Sequence, residues 1–275
     1  MKFQYLMETD LESVRLLAKD RPEQTLQQLL DSGMADLPAQ PHVIDAGTGA
    51  GVVARQMAEV LSRHYQGAKL TLLDGSQTRL EAAAKNLSSF ENLDKQFVEC
   101  NLENIPLPDN SVDYLFCRFV FEYLANPQRV FDEYVRIMKP GGKLVIGDLD
   151  NNSLNHYPLP DVLQAQLDEL SRAVESRGLL DFSAGRKLYS FFHKAGLDQI
   201  RVRLYAHHLF YGQLDQSDDF NWSKKMEQMV SYQDRGLLDV SFDVRKFGAA
   251  FLEFLRSPGR FSYTPLILVE GVKPS

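Results

Sequence analysis

The sequence predicts an α/β fold built on a parallel sheet with helices on both faces. Two observations carry that prediction. Between residues 42 and 147 short apolar runs alternate with segments of helical period, and several runs, such as Leu70-Thr71-Leu72-Leu73, are apolar almost throughout. Strands that alternate with helices build βαβ units, and runs with no polar face belong to strands buried on both sides.

The elements follow in order. Thr9-Asp10-Leu11-Glu12 has the form of a capping box, and Leu11, Val14 and Leu17 share one face of the helix it opens. Pro22 suits a first helical position, Leu26, Leu29 and Leu30 form an apolar stripe, and Gly33 ends the segment. His42-Val43-Ile44-Asp45 is a strand, followed by a glycine-rich turn and a helix carrying Val52, Val53, Met57, Val60 and Leu61 that stops near Gly67. Leu70–Leu73 is a second strand, Leu80, Ala84 and Leu87 mark a helix, and Phe97–Glu99 and Val112–Cys117 are strands three and four. Pro127 opens a helix with Val130, Phe131, Tyr134 and Val135; Lys139-Pro140-Gly141-Gly142 reads as a turn and Lys143–Gly147 as a fifth strand.

Beyond Asp148 the pattern loosens. Residues 150–160 read as an Asn- and Pro-containing loop, Leu163, Leu167, Leu170 and Val174 as a helix stripe, and a second helix runs from about Ser183 to Gly196 with Phe191 and Phe192 inward. Gln199–Ala206 and Leu266–Val269 are the last strands. The stretch 207–264 between them, with Trp222 and helical patterns near 218–231 and 243–256, is too long for a simple connection and reads as a lid or substrate cap. The chain divides into N-terminal helices (1–40), a core (41–150), a helical segment (151–198), the insertion (207–264) and a terminal strand (265–275), all within one domain.

Composition narrows the function. The 275 residues carry a net charge of −7 and 44% apolar side chains, values of an ordinary globular chain and unfavourable for a nucleic-acid surface. No apolar run nears the roughly 20 residues of a membrane helix, and Glu8 and Asp10 follow too soon for a signal peptide. Two cysteines, Cys100 and Cys117, make no disulfide framework. These features point to a cytoplasmic protein acting on small molecules.

The turn Asp45-Ala46-Gly47-Thr48-Gly49-Ala50-Gly51 is the most informative stretch. A strand entering Gly-x-Gly-x-Gly and then a helix lets bare backbone approach a ligand. A dinucleotide fingerprint wants glycine at 52, where Val52 stands, and Asp45 would oppose a pyrophosphate but suits a cationic amino group. Asp74, at the end of strand two, can accept both hydroxyls of a ribose.

Asp45-x-Gly47-x-Gly49-x-Gly51, the acidic end of strand two, the Cys100–Leu107 segment, Ser111-Val112-Asp113-Tyr114, Cys117-Arg118-Phe119 and Lys139-Pro140-Gly141-Gly142 occur in that order. Together they resemble class I S-adenosylmethionine-dependent methyltransferases, in the style of the ubiquinone/menaquinone-biosynthesis type, over about residues 40–150. The resemblance implies a Rossmann-like, mostly parallel sheet with an antiparallel C-terminal hairpin, S-adenosylmethionine as cofactor, and in-line methyl transfer to a small-molecule acceptor. It places Ala46, Gly47, Thr48 and Gly49 beneath the methionine portion, with Asp45 near the ammonium. Asp74 would hold the ribose, with Gly75 and Ser76 flanking the adenine. Asn101 stands where the family often has aspartate; it and the Leu102 backbone would meet the adenine edge. Arg118 would reach the methionine end or the acceptor. Tyr5-Leu6-Met7-Glu8 and Arg15-Leu16 look like the family's segment that closes over the cofactor, so Tyr5 and Arg15 join the expected contacts.

Methyl transfer from a sulfonium needs no metal, and needs a base only when the acceptor atom carries a proton. Candidate bases are His156, with Tyr157 beside it, then Glu122 and Tyr123, and His207 and His208. His207 and His208 face opposite ways on a regular strand, which argues against a shared metal. Cys117 reads as a buried thiol, and Phe119, Phe121, Phe191 and Phe192 as core. Two other readings stand beside methyl transfer: a nicotinamide-dependent oxidoreductase, and a homologue that binds the cofactor without catalysis.

Overall fold

The computed structural model describes residues 22–275; the helix expected over Thr9–Leu17 lies outside them, as do Tyr5 and Arg15. Helix α1 (Pro22–Asp31) precedes β1 (His42–Ala46), α2 (Val52–His64), β2 (Lys69–Asp74), α3 (Gln77–Asn86), β3 (Asp94–Glu99), β4 (Val112–Arg118), α4 (Pro127–Ile137) and β5 (Met138–Leu149). Then come β6 (Asn155–Tyr157), α5 (Asp161–Ser176), α6 (Ala184–Lys194), β7 (Asp198–Phe210), α7 (Gln216–Asp234), α8 (Val244–Arg256) and β8 (Phe261–Val272). Neighbours run β3-β2-β1-β4-β5, all parallel, and β8 joins β5 antiparallel. β6 and β7 both pair antiparallel with β8.

Strand parity explains the layers. Ile44, Leu73, Leu115, Cys117 and Ile146 face one core with Phe131 and Tyr134 of α4 and Leu188 and Phe192 of α6. Val43, Leu70, Leu72, Tyr114, Phe116 and Val145 face the other, against Leu29 of α1, Met57 and Leu61 of α2 and Leu80 of α3. Full burial of each such side chain is worth about 1.5–3 kcal/mol. A third core joins Leu167, Leu170 and Val174 of α5 to Trp222 and Met226 of α7 and to Phe247 and Phe251 of α8.

Four features differ from the sequence expectation. Lys139–Gly142 is not a separate turn: it bows out within β5, where Val112 pairs with Met138 but Tyr114 with Lys143. Gly141, at φ 77°, donates its N–H to the Lys273 carbonyl, so the excursion is stitched to the C-terminus. The expected loop at 150–160 contains β6, because Asn155–Tyr157 finds its partner in Phe261–Tyr263, about a hundred residues later. β7 extends to Phe210 and β8 starts at Phe261, leaving 211–260 as the segment between them. The register of β7 also slips between Ala206 and His208, so His207 and His208 are both buried, with ring centroids 4.3 Å apart, instead of facing opposite ways.

The start of α6 lies hard against the end of β5. A Cβ added at Gly185 would stand 2.7 Å from the Asp148 carbonyl oxygen and 2.9 Å from that of Leu149, backbone atoms that cannot swing aside. Gly185→Ala is expected to cost a net loss of about 1–2 kcal/mol in chemical denaturation, overpacking outweighing the alanine's helix propensity. Gly259→Ala, with open space around it, is the matched control and should change stability by less than about 0.5 kcal/mol.

Candidate active site

β1 delivers the chain into the glycine turn at the carboxyl edge of the sheet. The Gly47 and Thr48 amides both donate to the Leu73 carbonyl at the end of β2, at 2.8 and 3.0 Å. Gly47 has φ 71°, and a Cβ there would come within 2.4 Å of Val120 Cγ2. Conformation and space both demand glycine, so the crevice floor is bare peptide.

Two buried carboxylates organise this floor. Asp74 accepts the Gly49 N–H at 2.8 Å on one oxygen and the Ser76 N–H at 3.0 Å on the other. Burial pushes its carboxyl above the usual range, opposed by those N–H donors and by Arg79. Asp45 accepts the Thr48 hydroxyl at 2.6 Å, and burial raises it to about 6, against the pull of Thr48 and then Arg118. Each carboxylate retains lone pairs for a ligand.

Both lie in the wall of a cavity of about 1370 Å³. Gly47, Thr48 and Gly49 line it, as do Gly75, Ser76, Asn101, Leu102 and Arg118, so the structure gathers these expected residues from four different strand ends. The Ala46 side chain is fully buried in the sheet core, because alternation that turns Asp45 to the crevice turns its neighbour inward, and of the stretch expected beneath the ligand only Gly47, Thr48 and Gly49 line the cavity. The Asn101 side-chain oxygen already accepts the Glu103 N–H at 2.9 Å, which leaves it one lone pair. The Arg118 guanidinium donates to Thr25 Oγ1 and Gln28 Oε1 at 2.9 and 3.0 Å. Phe119 is held at φ 61°, a conformation that costs a bulky residue about 1–3 kcal/mol, with its ring 4.7 Å from that of His207.

The cavity continues from this crevice into a chamber under the third core, where Leu170, Phe182, Trp222, Met226, Phe247 and Phe251 meet Glu122, Asn152, Lys225 and His207. His156 and Tyr157 do not reach it, which corrects the expectation that they serve catalysis. His156 Nε2 donates to the Ser153 carbonyl and Nδ1 accepts from the Ser262 hydroxyl, both at 2.8 Å, with its ring packed on Phe251. Desolvation lowers its pKa, so it is a neutral, fully bonded side chain. Tyr157 is 75% exposed on the outer face of β6. Cys117 is buried against the Tyr134 hydroxyl, and burial drives its thiol far up, as expected of an inert core residue. Among the described residues no three His, Cys, Asp or Glu side chains gather as a metal site would require.

Sequence reasoning missed Thr25, Gln24, Asn152 and Lys225 on the cavity wall. Thr25 and Gln28 are buried polar side chains on the otherwise apolar face of α1, and that break in the stripe was the available signal.

Residues 44–146 match the family model described as a methyltransferase domain. The ubiquinone/menaquinone biosynthesis C-methyltransferase UbiE of Rickettsia massiliae is 30% identical over 107 residues, 38% of this chain and 42% of the relative. The malonyl-[acyl-carrier protein] O-methyltransferase of a Marinomonas species is 32% identical over 129 residues, 47% of this chain and 45% of the relative. The chain thus spans less than half the length of these curated relatives. Among solved structures, the YcgJ protein of Bacillus subtilis superposes with a TM-score of 0.60 at 19% identity, covering 92% of this chain and 99% of that one. Phosphoethanolamine N-methyltransferase 2 of Haemonchus contortus, solved with phosphomonomethylethanolamine and S-adenosylhomocysteine, gives 0.56 at 18% identity, over 92% of this chain and 53% of that one. Residues 44–146 are thus similar to the methyltransferase-domain family, in a chain with a Rossmann-like fold shared with these solved structures.

Proposed function

We propose that the chain binds S-adenosylmethionine in the crevice at the ends of β1, β2 and β4 and directs its methyl group to a small-molecule acceptor in the adjoining chamber. The observation that carries this reading is the Asp74 carboxylate bonded to the Gly49 N–H inside the cavity. It sets a diol-accepting acid beside a bare glycine floor that an adenosine with a bulky 5′ group can cross.

The surrounding groups suit such a ligand. Asp74 accepts the ribose hydroxyls, and the Leu102 backbone and Asn101 meet the adenine edge. Asp45, with the Thr48 hydroxyl on one oxygen, offers negative charge to an ammonium group. Arg118, braced by Thr25 and Gln28, supplies positive charge at the end of β4, toward a carboxylate or the acceptor. The donor brings a methyl group already activated on a positive sulfur, so the protein has to align the acceptor atom and exclude water. Alignment alone supplies about 7–11 kcal/mol in well-oriented systems. A nicotinamide cofactor fits less well: Val52 replaces the third glycine, and Asp45 would repel a pyrophosphate.

S-adenosylhomocysteine at about 100 times its Kd should raise the melting temperature by about 5–10 °C in a thermal-shift assay, whereas NADH should leave it unchanged. A shift with NADH alone would favour the oxidoreductase. Asp74→Ala should weaken S-adenosylhomocysteine binding about tenfold or more by calorimetry, since hydrogen bonds to a charged group are worth about 1.5–3 kcal/mol.

The raised pKa of Asp45 gives a pH signature. Below about 6 the carboxyl is protonated and offers no charge to an ammonium; above it the charge is present. Affinity for S-adenosylhomocysteine should therefore increase up to about tenfold from pH 5 to pH 7. Asp45→Asn should flatten that profile; an unchanged slope in the variant would assign the titration elsewhere.

A further inference from the structure

A continuous band of polar side chains crosses the wall of the apolar chamber. Asp148 Oδ2 accepts the Glu122 N–H at 3.0 Å, and Glu122 Oε2 accepts from Asn152 Nδ2 at 2.9 Å. Ser153 Oγ donates to Asn152 Oδ1 at 3.0 Å, and Lys225 Nζ donates to Ser153 Oγ at 3.5 Å while lying 4.4 Å from the Trp222 ring centroid. Glu122, Asn152, Ser153 and Lys225 all line the cavity.

Glu122 stands at the cofactor end of this band. It lies two residues beyond Val120, the side chain that closes on Gly47, in the 3-10 turn Phe121–Tyr123 that follows β4. Its carboxylate is buried, and the Asp181 amide donates to its backbone carbonyl at 2.7 Å, which pins the turn. Asp148 lies fully buried beneath it, and burial together with the nearby Glu122 charge raises Asp148 well above the carboxylate range. The Glu122 side chain faces a chamber otherwise walled by Leu170, Met226 and Phe247. A carboxylate placed there is poised to receive a proton from a ligand.

We propose that Glu122 is the general base of the transfer and that the acceptor is an apolar molecule whose reacting oxygen or nitrogen carries a hydrogen. This rests on the methyltransferase reading above. A lone pair of the acceptor atom forms the new bond to the methyl carbon as the carbon–sulfur bond breaks, its electron pair passing to sulfur. The acceptor's O–H or N–H pair stays on that atom, and the proton moves to a Glu122 carboxylate oxygen. The sulfonium charge and the carboxylate charge are both neutralised. Asn152 is a positioning residue that holds the carboxylate in the wall.

Trp222 is the only tryptophan of the chain and lines the chamber, so its emission reports occupancy without turnover. The probes are 4-octylphenol and 4-octylaniline, with octylbenzene as the analogue lacking the reactive hydrogen. With S-adenosylhomocysteine bound, the wild-type protein should bind at least one of the first two about tenfold more tightly than octylbenzene. Glu122→Gln should lose that preference while keeping S-adenosylhomocysteine affinity within about twofold by calorimetry. With S-adenosylmethionine, methylation of the preferred probe should fall about 100-fold or more in Glu122→Gln and recover in part in Glu122→Asp. Indifference of the wild-type protein to the reactive hydrogen overturns the proposal. So does tight binding without methylated product, or a Glu122→Gln variant with wild-type preference and rate. Failure of the wild-type protein to bind S-adenosylhomocysteine would instead remove the methyltransferase reading itself.

Discussion

The hydrogen bond from the Gly49 amide to the Asp74 carboxylate is the constraint on which the site depends. It ties the turn after β1 to the end of β2, so the two loops that form the crevice cannot drift apart. The Leu73 carbonyl reinforces the tie by accepting the Gly47 and Thr48 amides. A carboxylate this buried costs free energy unless donors surround it, and here backbone amides fill that role while leaving lone pairs for a ligand. The same loop meets Val120 at Gly47, which links β4 to the crevice and sets where Arg118, Phe119 and Glu122 stand.

Charge is distributed along the cavity with a consistent logic. Asp45 and Asp74 stand at the ends of β1 and β2, Arg118 at the end of β4, Glu122 in the turn beyond it and Lys225 on α7, all lining one cavity. The third core, contributed by α5, α7 and α8, supplies the apolar wall that a parallel sheet by itself lacks at its carboxyl edge. Desolvation in such a space strengthens each charged contact and also explains why the buried acids Asp45, Asp74 and Asp148 are all shifted upward.

The parallel core was legible in the sequence because its signals are local. Apolar runs, helical stripes and the glycine turn each span only a few residues, and Asp45 and Asp74 sit at strand ends by simple reading. What escaped depends on distant pairing. His156 follows β5 in the chain and looks like a site residue, but β8 captures its segment as an extra strand and turns its ring onto Phe251. His207 and His208 alternate on paper but lie buried with their rings tilted against each other, because the register slips between Ala206 and His208. Strand parity, available from the sequence, assigns the Ala46 side chain to the core once Asp45 faces the crevice. Arg118 finds Thr25 and Gln28 about ninety residues upstream, a partnership no local pattern encodes.

The central claim is that the crevice between β1 and β2 is an adenosine site with a sulfur-bearing tail. A crystal structure of the chain grown with excess S-adenosylhomocysteine tests it most directly. The account predicts the ribose hydroxyls on the Asp74 carboxylate and the amino-acid tail lying over Gly47–Gly49 near Asp45. Density for the ligand elsewhere, or an empty crevice at saturating concentration, would contradict it.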